Sequence, residues 1–247
     1  MSQLAHDRTV AIMQPYFFPY IGYFQLVYAA DTFVFYDDVT YIKGGWINRN
    51  RLLINRKPSY ITVSLRGASQ NRLIRDIELV DNRAQLLRTI ELAYRKAPFF
   101  EETMEPVAQV LTCPVKHIGE LAMHSITAIT DHLGLSRDYR VSGNDFDHTK
   151  TLHRADRLIA ITQECGSAHY VNAIGGRELY DKAYFGERGV TLDFLKPVIH
   201  EYKQFGGTFQ PALSIVDVLM FNPVEVVARM LSTPSEQSTM SAGGPKA

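Results

Sequence analysis

Tyrosines, amides, carboxylates and cations crowd into one stretch of this chain. Residues 10–55 read VAIMQPYFFPYIGYFQLVYAADTFVFYDDVTYIKGGWINRNRLLIN. Gln14, Tyr16 and Tyr20 come first, then Tyr36, Asp37 and Asp38, then Tyr41, Lys43, Trp46, Asn48, Arg49, Asn50 and Arg51. Tryptophan and tyrosine offer an apolar face with a polar tip. Lysine and arginine suit phosphate or carboxylate oxygens, arginine in a bidentate fork, and asparagine amides both donate and accept. The set fits a polar, partly planar, anionic ligand such as a nucleotide-linked sugar. Each residue alone has a plainer use: the two aspartates can cap turns, Trp46 can pack in the core, and the arginines can face water. Density decides for a site, because so many such side chains on two strand ends and one loop exceed what turns require.

Asp37 and Asp38 are the candidate bases. Alternation along a strand sends neighbours to opposite faces, so only one of them can enter a shared cavity. Asp37 is the chemical choice, being nearer the rigid strand end, and Asp38 falls to the turn. His200 is a third catalytic candidate, in a stretch beyond a strand end with Tyr202 and Gln204, where an imidazole titrating near neutrality can act as a base. Gly175 and Gly176 open an expected helix, Arg177–Glu187, whose free N–H groups can hold a phosphate. Tight turns use paired glycines too. Cys113, His117, His124 and His132 lack the i, i+4 spacing of helical zinc ligands, so no metal is expected. No G-x-S-x-G elbow is present. Cys165 lies on an apolar helix stripe and reads as core, and Ser214 reads as a helix cap.

The elements that position these groups follow from periodicity. β-branched and aromatic runs predict strands at Val10–Gln14, Thr32–Asp37, Tyr60–Leu65, Tyr139–Ser142, His169–Asn172 and Val190–Leu195. Helical spacing appears at Tyr23–Ala30, His117–Leu133 and Leu152–Cys165, and Asn222-Pro223 reads as a cap and first residue for Val224–Leu231. Strands alternating with helices imply an α/β fold, a mainly parallel sheet covered on both faces and opened by an N-terminal βαβ unit. Ligands of such sheets sit beyond the carboxyl ends of the strands. Gln14, Asp37, Asp38 and Trp46 are therefore expected around one cavity, with His200–Gln204 on its rim.

Bulk composition limits the function classes. The 247 residues have zero formal net charge, 46% hydrophobic and 21% charged content. Zero net charge argues against a broad nucleic-acid surface. Two cysteines without C-x-x-C spacing argue against zinc ribbons and a disulfide framework. No apolar leader and no run of about 18 apolar residues is seen, so no membrane partner and a cytoplasmic location are expected. Residues 1–231 are expected to form a single α/β domain. The Ser- and Pro-rich stretch 232–247 is expected to be a disordered tail.

The N-terminal block also resembles the signature of the WbqC-like family, through QPYFFPYIGYFQLVYAADTFVFYDDVTYIKGGWINRNRLL. The likeness continues in His169-Tyr170-Val171-Asn172-Ala173-Ile174-Gly175-Gly176 and in Tyr202, Gln204, Phe209, Pro211, Leu213, Ser214, Ile215, Asp217 and Asn222, covering about residues 9–222. Val39 stands where the family carries Gln, and Asn222-Pro223 replaces Asn-x-Gly. The family takes its name from surface-polysaccharide gene clusters. The resemblance implies modification of an unusual sugar or a similar small metabolite, with no settled mechanism and no known cofactor. The resulting expectation is a transferase acting on a nucleotide-linked or amino-bearing sugar or a similar small amine, by acyl or aminoacyl transfer. Two alternatives stand beside it. One is a non-catalytic ligand-binding or docking module. The other is a nucleotidyltransferase-like enzyme, although Tyr20 and Tyr23 occupy the places of the H-x-G-H histidines.

Overall fold

The structure is a computed structural model that describes residues 8–232. In chain order its first elements are β1 (Thr9–Met13), α1 (Ile21–Ala29), β2 (Thr32–Phe35), β3 (Arg49–Ile54), β4 (Lys57–Thr62), β5 (Ser64–Arg66) and β6 (Glu78–Val80). Then come α2 (Arg83–Tyr94), α3 (Phe100–Thr112), α4 (Ile118–His132), β7 (Asp138–Val141), α5 (Ser142–Asp145) and α6 (Arg154–Glu164). The last are β8 (His169–Ala173), α7 (Lys182–Gly186), β9 (Thr191–Leu195), α8 (Ile215–Phe221) and α9 (Val224–Ser232).

Five strands form one parallel sheet in the order β7-β2-β1-β8-β9. The fold is α/β and opens with the βαβ unit that the sequence leads one to expect. Strand β2, TFVF, is buried at every residue, which is why it lacks polar alternation: both faces of a parallel sheet are covered. On one face Ala11, Phe33 and Phe35 join a large apolar cluster with α1, the β3–β4 hairpin, α2–α4 and α8. On the other, Val10, Ile12, Val34, Tyr170, Leu192 and Phe194 pack against Leu158 and Ile159 of α6 and Phe185 of α7.

Helix α1 is apolar nearly all round, as a buried helix must be. Its one polar side chain in the core, Gln25, is fully used. The amide donates to the carbonyls of Val198 and Met230 and accepts from the Val198 N–H, each at 2.9 Å. These bonds tie α1 to α9 and to the segment after β9.

Three expectations need correction. The stretch 177–187 is not one helix: a 3-10 turn covers Ile174–Gly176, and α7 begins only at Lys182. The loop expected after Asp38 runs into an antiparallel hairpin, β3–β4. Its turn residues Asn55 and Arg56 both have positive φ, 51° and 62°, the geometry of a two-residue hairpin turn. An arginine stands where glycine usually signals that turn, so the sequence signal is weak. Asn222 does not open α9; its side chain donates to the Val218 carbonyl at 2.8 Å and closes α8. Ser214 caps α8 as expected, accepting from Val216 N–H. Ser232 ends α9, and the rest of the expected tail, 233–247, lies outside the described residues.

Candidate functional site

The sheet order places a switch point at β1. From β1 the chain moves outward to β2, whereas the other neighbour, β8, arrives after a long excursion. In open α/β sheets the crevice at such a point, beyond the carboxyl ends, is where ligands bind. A cavity of about 580 Å³ opens there, walled by the ends of β1 (Met13, Gln14) and β8 (Asn172, Ala173), by Tyr36 just past β2, and by Arg154 and Leu158 of α6. That size suits a small-molecule ligand.

The loop between β1 and α1 carries Tyr16 and Tyr20 into this space, and it is pinned on several sides. Phe18, at φ 40°, donates its N–H to Ser125 Oγ at 2.9 Å. The Phe18 carbonyl accepts from Ser214 Oγ at 2.7 Å and Asn50 Nδ2 at 2.8 Å. Phe17 N–H donates to the Trp46 carbonyl at 3.2 Å, and Pro19 accepts from Ile215 N–H at 2.8 Å. Gly22 lets the loop close: a Cβ there would lie 2.5 Å from the Tyr20 ring and 2.6 Å from Pro197. Tyr23 backs the wall, its hydroxyl on the Gln14 carbonyl at 2.9 Å and its ring 5.6 Å from that of Tyr16.

Burial pushes the phenols of Tyr16, Tyr20, Tyr36 and Tyr180 above their ordinary range, so all four are neutral hydrogen-bonding groups at neutral pH. Among the described residues of the wall Arg154 is the only charged one, and none of their side chains is a carboxylate or an imidazole. Of the residues expected from sequence, Gln14, Tyr16, Tyr20, Gly175 and Gly176 line the cavity.

Asp37, Asp38 and Trp46 do not line it. Strand β2 ends at Phe35, so the expected alternation does not separate the two aspartates: both carboxylates reach the Ser142 hydroxyl, and both are held. Asp37 accepts Gly143 N–H at 2.9 Å, and Arg75, close by, donates to the Gly143 carbonyl at 2.6 Å. Asp38 pairs with Arg157 of α6 at 2.5 Å, both side chains 5% exposed. The Ser142 hydroxyl lies 2.5 Å from Asp38 and 3.2 Å from Asp37; it has one hydrogen to give, and the shorter contact takes it. Arg157 also stacks over the Tyr36 ring at 5.0 Å. Burial raises the pKa of Asp37, against the lowering effect of Gly143 N–H and Arg75. This network braces the cavity wall from behind.

The remaining candidates serve other structures. Tyr41 donates to Asn48 at 2.9 Å, and Asn48 to the Val63 carbonyl at 2.8 Å. Arg49 holds the carbonyls of Gly44 and Gly45 and lies over the Tyr60 ring at 4.6 Å. Lys43 and Trp46 are exposed beside this hairpin. Tyr202 and Gln204 converge on the buried carboxylate of Asp217, at 2.7 Å and 2.8 Å, where Tyr94 donates at 2.6 Å. His200 is half-buried and outside the cavity wall.

Tyr36, part of the dense N-terminal block, lines the cavity, whereas sequence reasoning left out Arg154, Asn172 and Tyr180 as site residues. For Asn172 a signal existed, since it ends a strand just before two glycines. Arg154 and Tyr180 come from a helix start and an irregular segment, and nothing local in the sequence marks them.

No solved structure matches the chain. Among curated proteins it is similar to the uncharacterized protein Rv1507c of Mycobacterium tuberculosis, 30% identical over 220 residues, covering 87% of this chain and 94% of that protein. The WbqC-like family matches residues 14–229, from the first polar residue of the cavity wall to the last turns of α9. The chain belongs to the WbqC-like protein family.

Proposed function

We propose that this protein is a transferase that holds a nucleotide-linked or amino-bearing sugar, or a similar small amine, in the tyrosine-lined cavity and passes an acyl or aminoacyl group to or from it. The observation that carries the reading is the coincidence of three features in one place: the switch-point crevice, a volume of about 580 Å³, and neutral phenol and amide groups facing inward. Hydroxyl-rich ligands are matched by such groups, and aromatic faces suit sugar and base rings. Catalysis in this reading is by orientation of two bound partners, a source of large rate gains without a strong acid or base. Asp37 and Asp38 act as positioning residues for the wall through Ser142 and Arg157. The family's link to surface-polysaccharide gene clusters supports a sugar as the substrate.

A second reading, ligand binding without turnover, is favoured by the lack of a carboxylate or imidazole among the described residues that line the cavity. Purified protein incubated with nucleotide sugars, amino sugars and acyl donors, with products read by mass spectrometry, separates the two. A new acylated sugar supports the transferase. Saturable thermal stabilisation without product supports the binder, and neither result leaves the cavity without a ligand role.

A further inference from the structure

The cavity is not uniform. Gln14, Tyr16 and Tyr20 lie toward the β1–α1 loop, while Arg154, Asn172, Gly175, Gly176 and Tyr180 come from β8, the start of α6 and the segment after β8. At the second end Asn172 is only 6% exposed. Its Oδ1 accepts Ala173 N–H at 2.8 Å, which fixes which way the amide faces. Its Nδ2 has no hydrogen-bond partner among the described residues, and Gly176 packs directly against that nitrogen with no room for a Cβ. The side chain is held in place by burial, and its unpartnered N–H group belongs to the cavity wall, where a ligand oxygen can accept from it.

Arg154 is near Tyr180 and comes from α6, which packs against β8, the strand of Asn172. It is the first residue of α6, with φ 31°, and its guanidinium makes no hydrogen bond or ion pair with any described residue. The α6 amino terminus adds positive potential there. The acidic groups nearby are engaged elsewhere: Asp156 with the Tyr184 hydroxyl at 2.7 Å and Arg188 at 3.5 Å, Asp181 with Ala183 N–H at 2.8 Å. Among the described residues of the wall, the only charge is therefore positive.

We infer that the Asn172–Arg154 end of the cavity is an anion subsite, built to hold a phosphate or diphosphate of the ligand while the Gln14–Tyr16–Tyr20 end holds its uncharged part. This rests on the cavity being the ligand site, and it narrows the substrate class to phosphorylated or nucleotide-linked molecules.

The test is titration of the whole protein with inorganic pyrophosphate, UDP and the uncharged sugar N-acetylglucosamine, at constant ionic strength, following affinity by calorimetry. The variants are Arg154→Gly, Asn172→Asp and, as a control, Lys57→Gln on the exposed end of β4. Glycine at 154 tolerates the positive φ, and aspartate at 172 keeps the acceptor for Ala173 N–H while replacing the donor with an anionic oxygen. The expected result is saturable binding of pyrophosphate and UDP to wild type. Each site variant should weaken it about tenfold or more, the scale of one charge-assisted hydrogen bond. The control should match wild type. Arg154→Gly carries the test by itself if Asn172→Asp fails to fold. Equal anion binding by wild type and Arg154→Gly overturns the subsite. Binding of the uncharged sugar without any anion binding overturns it too, but leaves the cavity reading standing. No binding of any probe overturns both.

Discussion

Two polar clusters on this protein use similar residue types to opposite ends. At Asp217, two tyrosines and a glutamine converge on a carboxylate that is 0% exposed. Tyr94 also accepts Leu53 N–H at 2.9 Å, and Gln204 accepts Gln210 N–H at 2.8 Å. The polar groups there answer one another. At the switch-point cavity, tyrosines and amides face open space, and Asn172 Nδ2 and Arg154 find no partner among the described residues. Residue type does not separate a site from a clamp; what separates them is whether the polar groups are already satisfied. The clamp joins α2, α8, the hairpin and the segment after β9, so it holds the fold. The cavity joins strand ends, and its polar groups face the open space.

Substitutions test this contrast, the largest effect first. Arg157→Ala removes the partner of Asp38 and leaves a carboxylate buried and uncompensated. Such losses cost about 3–5 kcal/mol, so chemical denaturation should show a severely destabilised or unfolded protein. Asp217→Ala strands two hydroxyls and an amide, and should cost about 3 kcal/mol, on the scale of a few unsatisfied buried groups. Near-wild-type stability in either variant would mean that these clusters are not clamps.

Asp217 also sets a pH dependence. Burial raises its pKa above the ordinary 3.8, opposed by the hydrogen bonds from Tyr94, Tyr202 and Gln204. The folded state thus binds a proton more readily than the unfolded state. From Asp217 alone, stability rises as pH falls from the raised folded pKa toward 3.8 and levels off below it. Asp217→Asn lacks this contribution. The stability of wild type relative to Asp217→Asn should increase on acidification through that window, measured by urea unfolding at several pH values. A difference independent of pH would contradict the raised pKa.

Asp37→Asn divides chemistry from bracing. The sequence alone suggests a base, which predicts lost turnover with an intact fold. The geometry predicts instead a stability loss of about 1–2 kcal/mol from a weakened bond to Gly143 N–H, with activity following the folded fraction. Tyr16→Phe and Tyr20→Phe should have the smallest effect on stability, within about 0.5 kcal/mol, yet weaken ligand binding. A large loss of stability in these two would place the phenols in a clamp and erase the contrast.

Much of the fold was legible in the sequence because burial writes itself into period. The strands of the parallel sheet and helices α4 and α6 were located to within two residues. The hairpin was hidden by Arg56 in a turn position where glycine is the usual signal, and the 177–187 segment looked helical although only its last part is. The site was legible by region more than by residue. Gln14, Tyr16, Tyr20, Gly175 and Gly176 line the cavity, but the most chemical-looking stretch, Tyr41–Arg51, bonds to other parts of the chain, among them Val63, Arg72, Ala212 and the β1–α1 loop. Whether a polar side chain is satisfied depends on partners distant in sequence, such as Gly143 for Asp37 or Val63 for Asn48, and no local pattern records that. Arg154 and Asn172 line one cavity because α6 packs against β8.

The central claim, that the switch-point cavity is where this protein meets its ligand, can be tested by plugging it. Gly175 lines the cavity, and a Cβ built there meets nothing within 4 Å. Gly175→Trp should fill the space without disturbing the core. The measurement is thermal stabilisation of wild type and Gly175→Trp by the best ligand from a screen of nucleotide sugars and acyl donors. At 100 times the dissociation constant, that ligand should stabilise wild type by roughly 2.7 kcal/mol. The account predicts that the variant melts like wild type when free and gains nothing from the ligand. Full stabilisation of a correctly folded Gly175→Trp protein would contradict it.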